Sequence, residues 1–189
     1  MPKIAGNGQS ITINTYQLDL IKSRLPFKYQ VVCDLMYYTG ARVSECLAIR
    51  RCDVISGQVV IRKSNTKGKQ ETREIPIPPH LIQAIDKLPD ENAYLFAGMG
   101  GQGHLSRYSF DKILRRTCKK LDLDGFSTHG FRRTFITSLA RNNNHSKVIM
   151  KCSGHKQLSS LEKYIDVTEE EKVAAVTSIG NPPDLFISM

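Results

Sequence analysis

Arginine, histidine and tyrosine residues fall in three short stretches whose spacing suits chemistry on a phosphate. The first stretch is Thr39-Gly-Ala-Arg-Val-Ser-Glu45, with Arg42 three residues before Glu45. The second is His129-Gly-Phe-Arg132, whose two polar members share one face of any helix that holds them. The third is Gly154-His155, followed nine positions later by Tyr164. A phosphodiester under attack gathers negative charge on its non-bridging oxygens. A guanidinium fork matches those oxygens and stays charged at any working pH, which makes Arg42 and Arg132 candidates for a phosphate clamp. Phe131, Phe135 and Leu139 recur every four residues and read as a core stripe, which turns His129 and Arg132 away from the core toward a ligand.

Helices must carry most of these groups. Asn14 with Gln17 reads as a capping pair for a helix over 15–24. Pro26 opens a second helix with Val31, Val32, Leu35 and Met36 as its buried stripe and Gly40 as its stop. A short third helix over 43–49 follows Arg42. The period then changes. Residues 58–62 and 71–77 are rich in β-branched side chains, and the polar, Gly-containing stretch Ser64–Lys69 joins them, which predicts a hairpin. Helices return over 79–87, 106–120, 128–141 and 146–152. Ser159 with Glu162 reads as a capping box for a short helix holding Tyr164, and a last helix is expected over 169–178. This order predicts a mainly α, α+β domain over 14–178, with a flexible lead-in at 1–13 and a tail at 179–189.

Composition narrows the function classes. The chain has 189 residues, with 27 basic and 18 acidic side chains and a net charge of +9. No apolar stretch approaches the roughly 18 residues that span a bilayer, and no apolar signal core opens the chain. A cytoplasmic protein that avoids membranes and binds a polyanion is the expectation. The excess charge is concentrated. Residues 42–73 carry eight basic and three acidic side chains, and residues 107–163 carry thirteen and four. The segment 164–189 is acidic, with one basic and five acidic side chains. The five cysteines are odd in number and form no C-x-x-C pair, which argues against disulfides; Cys152 and His155 have zinc-like spacing without a second half. No Asp/Glu cluster suited to two magnesium ions is present, so no metal is expected.

Taken together, the TGxRxSE-type box, the H-x-x-R, the GH nine residues before a tyrosine and a lysine-bearing hairpin turn resemble the tyrosine recombinase (phage integrase) family. The resemblance spans Thr39 to Tyr164 and, by layout, nearly the whole chain. It implies a site-specific DNA recombinase that needs no metal, nucleotide or other cofactor. Tyr164 would be the nucleophile that forms a 3′-phosphotyrosyl bond and frees a 5′ hydroxyl. Arg42 and Arg132 would bind the scissile phosphate, His155 would contact it, and His129 would assist binding and proton transfer. Lys67, just before the turn glycine, would be the general acid, with Lys69 the alternative. Glu45 would orient Arg42 or a neighbouring histidine. Lys63, Lys69 and Arg133 would contact DNA.

The same resemblance implies double-stranded DNA as partner and four protomers on it, with the C-terminal segment as contact. Two positions depart from the common pattern. Arg133 stands where many members have histidine, and Ser153 stands where many have leucine before Gly-His. Most members also carry a separate helical domain that closes around DNA; this chain is either an isolated catalytic fragment or a single-domain member, with the fragment the expected reading. A type IB topoisomerase-like relaxing enzyme and an inactive DNA-binding regulator are the competing readings.

Overall fold

The structure, a computed structural model, describes residues 10–65, 71–90, 92–98, 100, 102–142, 144–162 and 164, together with 172–173 and 176–177. Its elements run α1 (Thr15–Ser23), α2 (Phe27–Thr39), α3 (Val43–Leu47), β1 (Val54–Ile55), β2 (Gln58–Ile61), β3 (Arg73–Pro76), α4 (Pro79–Asp86), α5 (Arg107–Lys120), α6 (Thr128–Arg141), α7 (Ser146–Ser153) and α8 (Ser159–Glu162). This is the mainly helical α+β arrangement that the sequence order implies.

The helix ends follow local chemistry. Asn14 and Gln17 cap α1 reciprocally, with bonds of 2.8 and 3.0 Å. In α2, Val31, Val32, Cys33, Leu35 and Met36 are all buried, so this helix is enclosed by others rather than lying on the surface. It packs against α1, α3, α4 and α6. Gly40 ends it in the left-handed region, at φ 60°, with its N–H on the Met36 carbonyl. A side chain at Gly40 would also run into the Phe135 ring of α6.

The sheet is antiparallel in the order β1-β2-β3. The expected hairpin of β2 and β3 is present, with Ile61 paired to Arg73 at its loop end. The two-residue β1 is additional. It turns into β2 through Ser56 and Gly57, both at positive φ. Alternation puts Val59, Ile61, Arg73 and Ile75 on the buried side.

Apolar packing forms two clusters. The main one joins α1–α5 and the sheet. A smaller one holds Ile136, Ile149 and Leu161, with Phe135, Leu139, Met150 and Tyr164 packed on it. Three local expectations are corrected. Residues 10–13 of the lead-in are docked: Ile13 is buried, and its N–H donates to Thr134 Oγ1 at 3.0 Å. Ser159 is a helical residue and not a cap, because the Gln157 and Leu158 carbonyls already accept from Ser160 and Leu161. Tyr164 follows α8, with its N–H on the Leu161 carbonyl at 2.7 Å. Among the cysteines, Cys33, Cys46 and Cys118 are buried free thiols, whereas Cys52 is exposed and Cys152 half-buried.

Gly40→Ala should destabilise the fold by at least the roughly 1–2 kcal/mol of a left-handed Cβ, plus displacement of Phe135. The denaturant midpoint measures this, and an unchanged midpoint would contradict it.

Candidate active site

The stretch Thr39–Glu45 is a helix stop joined to a helix start. Thr39 closes α2 and its hydroxyl accepts from the Ala41 N–H at 3.2 Å. Arg42 then takes the N-cap position of α3, with extended backbone. Its N–H donates to Glu45 Oε2 at 2.9 Å, and its guanidinium donates to Oε1 at 2.7 Å. Glu45 is buried, whereas the Arg42 side chain keeps about a quarter of its surface (26%). The arginine is therefore anchored from below and open above.

A second arginine completes the anchoring of Glu45. Arg73, the first residue of β3, donates to Glu45 Oε2 at 2.8 Å from a side chain that is 6% exposed. Its other terminal nitrogen donates to the Ser153 carbonyl at the end of α7. Burial pushes the Glu45 carboxyl upward, but the Arg73 charge, the Arg42 N–H and the Arg42 guanidinium outweigh it and hold the group below its usual 4.5. The stability it supplies is thus present throughout the neutral range and lost only as pH falls through that lowered value.

On α6, His129 lies at the surface and Arg132 does not. Arg132 is buried, which corrects the expectation that both residues turn away from the core. The seam between α2 and α6 takes its guanidinium, which donates to the Gly40 carbonyl at 2.8 Å. Its second terminal nitrogen lies 3.4 Å from His155 Nε2 and 3.5 Å from Nδ1. Burial, joined by the Arg42 and Arg73 charges, brings Arg132 down to about 10, so it remains a cation at neutral pH. His129 is lowered from 6.5 by partial burial first, then by the cations Arg107, Arg132 and Arg42, with Asp111 opposing.

His155 follows Gly154, which ends α7 at φ 71°. A side chain on Gly154 would meet the Arg73 guanidinium. The His155 ring lies 6.4 Å from the Tyr164 ring, centroid to centroid. Arg133 holds its guanidinium 5.8 Å over the Tyr164 ring, within cation–π range.

The fold therefore brings together Arg42, Glu45, Arg132, His155 and Tyr164, with His129 in the same field of charge and Arg133 against the tyrosine. Lys63 is exposed at the mouth of the hairpin, its N–H on Thr72 Oγ1 at 3.1 Å. Lys67 and Lys69 lie outside the described residues. Sequence reasoning missed Arg73, although a signal existed: in a period-two strand it shares the inward face of Ile75. It also missed the exposed basic face of α5, formed by Arg107, Lys112, Arg115, Arg116, Lys119 and Lys120. Among the described residues, no group of three His, Cys, Asp or Glu side chains is placed to hold a metal ion, and no helix is long and apolar enough to cross a membrane.

Residues 13–171 match the model of the phage integrase family. The chain belongs to that family. A "tyrosine recombinase" of Thermosipho africanus is 27% identical over 154 residues, covering 80% of this chain and 54% of that protein. A "probable integrase/recombinase" of Acholeplasma phage L2 is 27% identical over 161 residues, covering 84% and 55%. This integrase-family chain thus spans about half the length of these relatives. Its fold is that of the catalytic domain of bacteriophage HP1 integrase, with TM-score 0.67, 20% identity and coverage of 93% of this chain and 99% of that one. A Tn1549 transposon integrase in complex with transposon right end DNA superposes with TM-score 0.77 at 16% identity, covering 95% and 69%.

Glu45→Ala leaves Arg73 buried without its counter-charge. Removing one partner of a buried pair costs about 3–5 kcal/mol, so the thermal midpoint should fall by roughly 10 °C. Calorimetry at neutral pH checks this; a shift of only a degree or two would contradict it.

Proposed function

We propose that this chain is the catalytic domain of a site-specific DNA recombinase that cleaves and rejoins strands through a 3′-phosphotyrosyl bond on Tyr164. The observation that carries this reading is the convergence of Arg42, Arg132 and His155 beside Tyr164, from four separate elements. Three guanidiniums, those of Arg42, Arg73 and Arg132, surround the single Glu45 carboxylate. That surplus of positive charge suits an incoming phosphate, whose charge grows during attack. The relatives' names, and the DNA complex of the Tn1549 integrase, support the same reading.

In this mechanism Arg42 and Arg132 hold the non-bridging oxygens of the scissile phosphate. The Tyr164 oxygen attacks phosphorus and its proton passes to a neighbouring base, while the 5′ oxygen leaves with a proton from the hairpin lysine, Lys67 or Lys69. Rejoining reverses these steps with a partner strand's 5′ hydroxyl. His129, held below the ordinary imidazole value, is neutral at neutral pH and able to accept a proton. The exposed cations of α5, together with Lys63 and Arg133, would meet backbone phosphates. Four protomers on one DNA assembly follow the family pattern, with the acidic segment 164–189 meeting a basic neighbour.

The full chain should form a covalent adduct with a pool of nicked duplexes of randomised sequence, seen on denaturing gels. Tyr164→Phe should abolish it, and an adduct that survives would overturn the reading. Arg42→Ala and Arg132→Ala should each slow adduct formation by about a hundredfold or more while leaving DNA affinity nearly unchanged. Removing α5 cations should do the reverse, weakening binding and lowering the salt slope by about 0.9 for each phosphate no longer neutralised.

Cleavage should also fall as pH drops through a midpoint below 6.5, where His129 gains its proton. A pH profile of kcat/KM tests this. His129→Gln should flatten that limb, and a limb unchanged in the variant would remove His129 from proton transfer.

A further inference from the structure

Ser153, the residue that departs from the common Leu-Gly-His pattern, sits between Arg73 and His155. It is fully buried. Its carbonyl accepts from Arg73. Its hydroxyl lies 2.6 Å from the Ile149 carbonyl and 2.8 Å from His155 Nδ1. A serine hydroxyl has one proton to donate and two lone pairs to accept with. A carbonyl can only accept, so the short bond to Ile149 uses that proton. The contact with His155 is then satisfied only if Nδ1 carries a hydrogen and donates it to Ser153. A neutral imidazole has one N–H, so Nε2 bears the lone pair. The Arg132 nitrogen lies nearly midway between the ring nitrogens, 3.4 Å from Nε2 and 3.5 Å from Nδ1, so it does not choose the tautomer; with Nδ1 protonated, the lone pair left within its reach is that of Nε2.

We propose that Ser153 is a positioning residue that fixes His155 as its Nδ1–H tautomer and leaves the lone pair on Nε2, within reach of Arg132. The histidine side chain free in water favours the opposite tautomer, so the serine reverses an intrinsic preference. A leucine at this position offers no acceptor. The backbone bond from Arg73 keeps the hydroxyl from drifting, since it holds the last turn of α7 against the sheet. Ser153 is too deeply buried to touch DNA, so its effect on cleavage passes through His155. The tautomer stands apart from the proposed function, whereas its effect on cleavage rests on that reading.

Long-range proton–nitrogen correlation spectra of the 15N-labelled chain, above the histidine titration, decide the tautomer. His155 is assigned by the signal that disappears in His155→Gln. The expected result is a protonated-type shift at Nδ1 and an unprotonated-type shift at Nε2. Ser153→Ala should reverse or average the two, and Ser153→Thr, which keeps a hydroxyl, should preserve them. Nε2–H in the unaltered protein, or an unchanged signature in Ser153→Ala, overturns the assignment. Partners that orient metal-ligating histidines cost about 10–100-fold when removed, and the same scale is taken for His155. Ser153→Ala should therefore slow adduct formation on the nicked-duplex pool by that factor at unchanged affinity. The Nδ1–H signature with an unslowed Ser153→Ala overturns the positioning role. No adduct from the unaltered protein overturns the functional reading while the spectra still decide the tautomer.

Discussion

The Glu45 carboxylate is the point on which the site depends. Burying a charge is costly unless opposite charge and hydrogen bonds surround it. Here one oxygen accepts from the Arg42 guanidinium, and the other from the Arg42 N–H and from Arg73. From this centre the contacts close a ring. Arg73 leads to Ser153, Ser153 to His155, His155 to Arg132, and Arg132 to the Gly40 carbonyl, two residues before Arg42. Each member is held by the next, so the fold itself fixes the guanidiniums and the imidazole in place. Such preorganisation is what makes fixed charge effective against a charge that develops during reaction.

The two apolar clusters divide the labour. The main one fixes α2, α3 and the sheet, and with them Arg42, Glu45 and Arg73. The smaller one, between α6, α7 and α8, carries Tyr164 at its edge. Arg132 and His155 lie where the two meet. The tyrosine is therefore seated on a small core of its own, beside a clamp seated on a large one.

Most of the helical layout was legible because its signals are local. The Asn14–Gln17 box, Pro26, Gly40 and the buried run of α2 act over a few residues. The hairpin was legible from its β-branched runs, but β1 was not, since two residues carry no period. Lead-in residues 10–13 were misread because Ile13 docks on α6 through Thr134, far away in sequence. The capping box at Ser159 was misread because carbonyls two residues earlier had already begun the turn.

For the site, residue chemistry and helical spacing pointed to Arg42, His129 and Arg132, and the resemblance to the integrase family added Glu45, His155 and Tyr164. Only the tertiary structure decided how these groups are held. It buried Arg132 against Gly40, brought Arg73 from a strand to Glu45, placed Arg133 over Tyr164 and gave Ser153 to His155. Each of these contacts joins elements that pack against one another or settles a proton between neighbours. Such contacts depend on distances that chain spacing does not encode.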